Sequence, residues 1–332
     1  HFAIERGQQH LIASGIASKN PKDSVFLDLK DINVSYILNL VNFHAVEFSG
    51  MATGRAYVSS AFSDPSASAK LKVNQFKFEN GRMGVLFADV NWNKKEKQID
   101  INAKADDGPL AQTLIRGNVS PARNTIDLGI SARGTNAEFM ESFCGSFMSN
   151  IQAHANGDIR LIGPLSTIQL VGQLTVDGQI TMRQLGTTYT LKSDTIRMIP
   201  DEIEMRHVPF YDYNNNVGYI TGNIHHKHLT RLSYDLNINA HNLLTYDFKD
   251  FGDNTFCGTV YATGDVGIHG KSGEVTIDMN VTPDKNTVFT YNTATVSTSS
   301  DQQFIHWNDN TFNRDTLLTH KSQRLQEEED DK

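Results

Sequence analysis

Cysteine is nearly absent from this chain of 332 residues, which contains only Cys144 and Cys257. Two cysteines argue against a disulfide framework and exclude a zinc site built of thiolates alone. We interpret both as small buried thiols. Long hydrophobic runs are absent too, because no stretch approaches the ~20 apolar residues that a membrane-spanning helix needs.

A basic stripe is also missing from the sequence. Lys and Arg number 30 against 38 Asp and Glu, so the formal net charge is −8. Much of that excess lies in the acidic run 327–331, which leaves the rest of the chain close to neutral. A chain without a basic surface is not expected to bind nucleic acid.

Catalytic signatures are lacking as well. The chain has no G-x-S-x-G sequence, no phosphate-binding glycine loop before a helix and no recognisable carboxylate pair. His225, His226 and His228 suggest metal ligands, but no further ligand can be placed beside them. We interpret them as structural or surface residues in a turn. The sequence therefore predicts neither an enzyme nor a cofactor.

One polar segment imitates the start of a calcium-binding loop. Asp212, Asn214 and Asn216 have the required alternation. Val217 stands where such a loop needs glycine, and Asn223 stands where it needs glutamate. We therefore predict a polar turn without a metal.

Alternation of apolar and polar residues dominates what is present. From Ile168 to Met182 every second residue is apolar or glycine, and similar runs cover 99–103, 126–132, 232–240 and 275–281. Successive side chains of a strand point to opposite faces, so each run predicts a strand with one apolar and one wet face. Strands buried on both faces are missing, which disfavours a parallel α/β sheet.

Glycines recur at a long, regular spacing. Gly15, Gly117 and Gly222 are 102 and 105 positions apart. A second set keeps the same phase and consists of Gly54, Gly157 and Gly264. A fixed period indicates a repeat architecture, with about three repeats of roughly 103 residues at 1–110, 111–215 and 216–312.

Short helices are expected once per repeat. The candidate segments are Val34–Val41, Asn136–Phe143 and Leu243–Phe248. Residues 313–332 are highly charged and are predicted to form a linker or tail.

The apolar faces of such strands must be covered. Either two sheets form a closed sandwich, or one elongated, strongly curved antiparallel sheet folds along its length into a β-taco with an apolar groove. Gly172, Gly178 and Gly264 fall on the apolar face, where glycine often marks a bend or bulge. The bends favour the all-β, curved sheet.

The middle of the chain resembles the TamB family of translocation and assembly module proteins, which belong to the AsmA-like superfamily. The resemblance is best from Gly163 to Asp284 and is closest to the Bacteroidetes-like form. It is carried by the order of several loose motifs: Thr188–Leu191, Asp194–Met198, Ile203–Met205, His207–Pro209, Asp212–Asn216, Val217–His226, Leu236–Ile238, Asn242–Leu244 and Phe256–Gly264.

This resemblance implies a periplasmic protein of Gram-negative bacteria that is anchored in the inner membrane. It implies a β-taco with a hydrophobic groove, a role in moving phospholipid to the outer membrane, and a BamA-like or TamA-like partner. The chain is shorter than such proteins and does not begin with an anchor, so we expect an internal or C-terminal segment whose membrane contacts lie elsewhere.

The groove would be lined by the alternating apolar residues. A dry path suits a lipid, because each CH₂ left in water costs ~0.8 kcal/mol. The candidates that would contact phospholipid acyl chains are Ile126, Leu128, Ile130, Ile168, Leu170, Leu174, Val176, Ile180, Met182, Leu232, Tyr234, Leu236, Ile238, Val275, Ile277 and Met279.

Two other functions are compatible with the pattern. Exposed sheet edges could template incoming strands, which would make the chain a scaffold for assembly of outer-membrane β-barrel proteins. A β-helical carbohydrate-active enzyme or adhesin would also show strand repeats, but with a period of only ~20–30 residues and with clustered carboxylates or aromatics, both of which are missing.

Overall fold

The computed structural model describes residues 1–20, 22–36, 47–60, 62, 65–145, 147–227, 230–252, 254–271 and 274–292. The predicted tail at 313–332 and part of the predicted helix at Val34–Val41 lie outside these residues. The described chain up to Tyr291 forms one unit.

Eighteen strands make up a single sheet. In chain order they are β1 Phe2–Arg6, β2 Gln9–Gly15, β3 Ser24–Asn33, β4 Phe48–Ser59, β5 Ser66–Phe78, β6 Gly81–Asn93, β7 Gln98–Asp106, β8 Gln112–Ser120, β9 Thr125–Asn136, β10 Met148–Pro164, β11 Gln169–Met182, β12 Thr187–Ile199, β13 Glu202–Tyr211, β14 Val217–Lys227, β15 Thr230–Phe248, β16 Phe256–Lys271, β17 Glu274–Pro283 and β18 Val288–Tyr291.

Each strand pairs antiparallel with the next one along the chain, from β1 to β17. The short β18 pairs with the start of β16, beside the stretch that β17 occupies. All pairings among the described residues are antiparallel, so the β-helix alternative, which needs parallel rungs, is wrong.

The sheet is neither closed nor strongly curled. The all-β antiparallel prediction is confirmed, whereas the closed sandwich and the strong curvature are wrong. The glycines expected to bend the sheet are present, but the ladders continue through them. Gly172, for example, stays paired with Ile159 on one side and with Met198 on the other.

The six spaced glycines share one backbone conformation. Their φ angles lie between +112° at Gly15 and +159° at Gly54, a region that side chains disfavour. A Cβ on Gly222 would overlap the carbonyl oxygen of Asp235 on β15. These positions therefore require glycine for both their conformation and the close approach of the next strand.

Of the three predicted helices, the one between β9 and β10 is confirmed. A 3-10 turn at Glu138–Met140 runs into the helix α1, Glu141–Cys144. Residues 34–36 are helical as well, and the rest of that segment lies outside the described residues.

The helix predicted at Leu243–Phe248 is wrong, because these residues belong to β15. The ladder of β15 with β16 shifts register between Ala240 and Leu243, and Asn242 has a φ of +46°. This bulge lets two consecutive residues, Leu243 and Leu244, both become buried. The loss of alternation in the sequence therefore came from a bulge.

Two separate groups of buried side chains form the core. The larger group is built mainly from β10–β16 and includes Phe147, Phe210 and Leu243. The smaller group is built from the N-terminal part and includes Val73 and Phe76.

Candidate functional site: the apolar face

The strand register places apolar residues next to one another across the whole sheet. Partners in an antiparallel ladder share a face, so pairing can be followed from strand to strand. Starting at β1, one such row contains Ile4, Leu11, Leu29, Gly54, Leu71, Ala88, Ala103, Ile115, Ile130, Ile159, Gly172, Met198, Ile203, Ile224, Tyr234, Gly270 and Val275. We call the face that carries this row the apolar face.

The opposite face carries polar ladders. Arg160 and Asp127 form a cross-strand ion pair at 2.7 Å, and Arg55 contacts Asp28 at 2.8 Å. These side chains are exposed, so such pairs contribute little stability. Their charges keep this face in contact with solvent, so the sheet has one apolar face and one polar face.

The predicted lining residues lie on the ladders of the apolar face, except for Ile168, which comes just before β11, and Leu232, which lies at the start of β15 outside the paired positions. Ile180, Met182, Tyr234 and Leu236 are buried in the larger core group. The predicted lining residues that are partly buried and pack against this group are Val176, Leu232, Ile238, Val275 and Ile277.

The other candidates lie outside that group. Ile126 is buried, and Met279 is 48% exposed. The candidates that are half-buried on β9, on β11 or just before β11 are Leu128, Ile130, Ile168, Leu170 and Leu174.

A cavity of about 40 Å³ lies on the apolar face within the larger core group. Ile180, Met182, Leu236, Ile238 and Met279 contribute to its almost wholly apolar lining. A volume of this size has room for no more than one or a few waters, and its apolar lining offers them almost no hydrogen-bond partners. The face is thus filled by protein side chains here, and a lipid chain would need the walls to separate.

Residues that sequence reasoning missed form the rest of the lining, including Phe147, Tyr189, Phe210 and Leu243. Tyr189 and Phe210 meet edge to face, with ring centroids 4.8 Å apart. Tyr189 and Leu191 continue the alternation of apolar residues found in β11. The sequence pattern therefore does indicate that Tyr189 lies on the apolar face, where it pairs with Ile180. Phe147 lies in a connection and had no such signal.

Three contacts tie β15 to the strands and turns before it. The hydroxyl of Tyr189 donates to the carbonyl oxygen of Leu244 at 2.7 Å. The Leu244 N–H donates to Asp212 Oδ2 at 3.0 Å, and the Asp247 N–H donates to the Leu185 carbonyl at 2.8 Å. Burial raises the pKa of Tyr189, so this hydroxyl stays a neutral donor. The contacts join β15 to β12, to the residues just before β12 and to the turn between β13 and β14.

Asp212 acts as the polar turn that the sequence predicted. Its carboxylate accepts from the backbone N–H groups of Asn214 and Asn216 at 2.8 and 2.9 Å. With Leu244 and the Asn216 side chain also donating, this buried carboxylate is already surrounded by donors. Such a set of neighbours suits a structural anion better than a cation ligand.

The histidines lie in a strand, so their assignment to a turn is wrong. His225 and His226 belong to β14, and His228 lies outside the described residues. His225 Nδ1 is 3.3 Å from Glu202 Oε1 on β13. The Nδ1 atom of His226 is 3.9 Å from Asp201 Oδ1. No metal-binding group of three such side chains exists among the described residues.

The two cysteines differ in surroundings. Cys144 is buried and Cys257 is half-buried, and both are free thiols. Burial raises the pKa of Cys144 to about 12. A thiol that stays protonated at neutral pH is a poor nucleophile, so Cys144 is chemically silent in this state.

None of the helices in the described ranges is long and apolar enough to cross a membrane.

Comparison with protein families gives a match. Residues 210–332 match the model of the TamB C-terminal domain. The match confirms the resemblance over this range, which begins and ends later than the Gly163–Asp284 stretch chosen from the motifs. No curated protein and no solved structure matched the chain.

Proposed function

We propose that the apolar face of this chain, whose residues 210–332 match the TamB family in its C-terminal domain, conducts phospholipid acyl chains through the periplasm, between the inner and outer membranes. The family is a transport and assembly module that is not known as an enzyme. In this proposal the working part of the chain is an extended surface.

The observation that carries the proposal is the continuity of the apolar row. It runs from Ile4 on β1 to Val275 on β17 without a charged residue. An ordinary domain core would end where the strands end, whereas this face continues along the direction in which strands are added. A lipid chain sliding along it would meet apolar side chains, the ring of Tyr234 or glycine at each step.

The energetics favour weak, distributed contact. Each CH₂ removed from water contributes ~0.8 kcal/mol. Contact over several methylene groups therefore holds an acyl chain without any specific pocket. Half-buried residues such as Leu128, Ile130 and Leu174 leave part of their surface available for such contact. Deeply buried ones such as Ile180 would become available only if the core group opened.

We also propose that the six spaced glycines mark repeats of six strands. They lie on β2, β8 and β14 in one set and on β4, β10 and β16 in the other. The helical connections after β3 and β9 are six strands apart as well. A unit with an even number of strands returns the chain to the same direction. The boundaries proposed are 1–110, 111–215 and 216–312; the first contains β1 and the six strands β2–β7, the second the six strands β8–β13, and the third β14–β18 among the described residues.

The test uses photo-crosslinking residues at neighbouring positions of β11. Leu174 lies on the apolar face opposite Gly157 and Ile196, and Gln173 lies on the polar face opposite Asp158 and Arg197. We expect phospholipid adducts at position 174 when the chain is made in a Gram-negative host, with mass spectrometry as the measurement. Position 173, one residue away on the same strand, is the matched control.

Adducts that appear equally at 173 and 174, or at 173 alone, would contradict the conduit. A Val176→Arg variant adds a second check, because a charge at this half-buried position should lower the amount of co-purifying phospholipid.

The sheet edge favours a second candidate function, a scaffold for outer-membrane β-barrel assembly with a BamA-like or TamA-like partner. All five residues of β1 are exposed, with Phe2 at 58% and Ile4 at 54%. In the described part of the chain β1 pairs with β2 alone. Exposed apolar edges can accept another strand.

The two functions separate in a cell-based experiment. Lysine at Ala3, an exposed residue of β1 on the polar face, should hinder strand addition at this edge and leave the apolar row from Ile4 onwards unchanged. Lower β-barrel insertion with normal lipid distribution in this variant would favour the scaffold. The reverse result, with Val176→Arg showing the lipid defect, would favour the conduit.

A further inference from the structure

The connection between β9 and β10 lies across the apolar face. We call residues 137–145 and 147 the insert. Ala137, Cys144 and Phe147 of the insert are buried in the larger core group, and Phe147 also lines the cavity. A connection that only joined two neighbouring strands would have no need to bury these side chains. The insert therefore occupies the surface that the proposed function assigns to lipid.

One end of the insert contacts the hairpin of β5 and β6. The rings of Phe139 and Phe78 have centroids 5.1 Å apart. The backbone of Phe139 lies directly on Gly81, where a Cβ would be 2.7 Å from the Cβ of Phe139. Glycine at position 81 is thus what lets the insert approach so closely.

The other end reaches β15. The rings of Phe147 and Tyr234 have centroids 4.9 Å apart, although β10 and β15 are five strands apart in the sheet. Neighbouring strands are ~4.8 Å apart, so five strand spacings are too far for two side chains to meet within the sheet. The two rings therefore meet above the apolar face. The insert thus bridges from β5 to β15.

The contacts that hold the insert differ in strength. Phe147 is fully buried, and its carbonyl accepts from the Arg183 N–H at 3.0 Å. On the β5–β6 side the polar contacts are long and exposed, with Asn80 Nδ2 donating to Ser142 Oγ at 3.4 Å and the Arg82 N–H donating to Glu138 Oε2 at 3.4 Å. Long, exposed hydrogen bonds are weak, so this is the side at which the insert would release.

We propose that the insert is a gate in the lipid path, which rests on the proposed function. Seated as observed, it covers the part of the apolar face where Phe139 meets Phe78 of β5 and Phe147 meets Tyr234 of β15. When it lifts from β5 and β6, an acyl chain takes the place of its apolar side chains and restores the same dry contacts. Arg183, whose Nη2 is 3.4 Å from Glu141 Oε1, helps to keep the gate seated.

Cys144 reports on the gate directly. Its thiol is buried, and its high pKa keeps it protonated, so it should resist maleimide while the insert is seated. In a Cys257→Ser background Cys144 is the remaining cysteine of the sequence. We expect vesicles of phosphatidylethanolamine and phosphatidylglycerol to raise the rate of Cys144 labelling several-fold.

Two substitutions should weaken the contacts that hold the insert in place, and both are tested in the absence of vesicles. Phe139→Ala removes the ring contact with Phe78, and Glu141→Gln removes the charge beside Arg183 without leaving a hole. Both should raise the labelling rate, with circular dichroism confirming that the sheet is retained. The matched control is Phe26→Ala, because Phe26 is an exposed ring near Tyr57 on the polar face, 6.5 Å from it by centroid.

The outcomes separate the gate from the conduit. Lipid adducts at Leu174 with Cys144 labelling unchanged by vesicles and by both variants would overturn the gate and keep the conduit. Faster labelling in the variants with no lipid adduct at Leu174 would support movement of the insert and overturn the lipid path. Faster labelling with vesicles, together with adducts at Leu174, supports both.

Discussion

Single residues set the local geometry of this sheet, and the spaced glycines show it most clearly. Gly222 has a φ of +140°, and the next strand's backbone leaves no room for a side chain there. Its neighbours on either side, Met205 and Leu236, belong to the apolar face. Glycine at this position therefore keeps the apolar row continuous while its backbone adopts a conformation that other residues resist.

We expect Gly222→Ala to lower the free energy of unfolding by about 1–3 kcal/mol, the usual cost of such backbone strain. Urea denaturation followed by circular dichroism measures it. Gly129→Ala is the control, since its Cβ would find its nearest neighbour, the Arg116 carbonyl oxygen, at an ordinary 3.5 Å. Equal effects of the two substitutions would show that the positive φ carries no special cost.

Among the structural elements, the turn between β13 and β14 does more than reverse the chain. Asp212 closes the turn through Asn214 and Asn216 and also accepts the N–H of Leu244 from β15. One carboxylate thereby fixes a hairpin and the bulged strand beside it. The contact explains how two consecutive buried leucines on β15 keep their backbone groups satisfied.

Asp212→Ala should destabilise the chain by about 3 kcal/mol, because hydrogen bonds to a charged group are strong and the substitution leaves buried N–H groups without their acceptor. Hydrogen exchange should show faster exchange at the Leu244 amide. Asp265→Ala serves as the comparison, since Asp265 is exposed and accepts from the Asn239 side chain at 3.0 Å. Its effect should stay within about 0.5 kcal/mol, and a similar loss in both variants would contradict the role of Asp212.

The whole sheet has one continuous ladder but two groups of buried side chains. The larger is centred on β10–β16 and the smaller on β4–β7, and they share no residue. In arrays where each unit contacts only its neighbours, stability is a sum of local terms. The two parts of this sheet should therefore unfold with different stabilities.

Leu243→Ala and Phe76→Ala test this separation, because each removes a large buried side chain from a different group. Each should cost roughly 2–5 kcal/mol. With hydrogen exchange and mass spectrometry, Leu243→Ala should speed exchange mainly in β10–β16, and Phe76→Ala mainly in β4–β7. Uniform acceleration over the whole sheet in either variant would show that it unfolds as one unit.

The strands and the one-sided face followed from the sequence, because alternation is a local property. Each pair of consecutive residues, such as Gln173 and Leu174, indicates which face of the strand is exposed to solvent. The spacing of the glycines likewise located positions that the structure holds at positive φ. The failures at this level were local too: the bulge at Asn242 breaks the alternation and imitates a helix.

How the apolar face is covered was decided only by the tertiary structure. The contact of Phe147 with Tyr234 joins residues 87 positions apart, and no local pattern encodes such a meeting. The bond from Tyr189 to Leu244 joins residues 55 positions apart, and the approach of Phe139 to Gly81 is a long-range contact as well. Alternation fixes which face is apolar, since it depends on neighbours along the chain, whereas coverage depends on which distant side chains fill the same space.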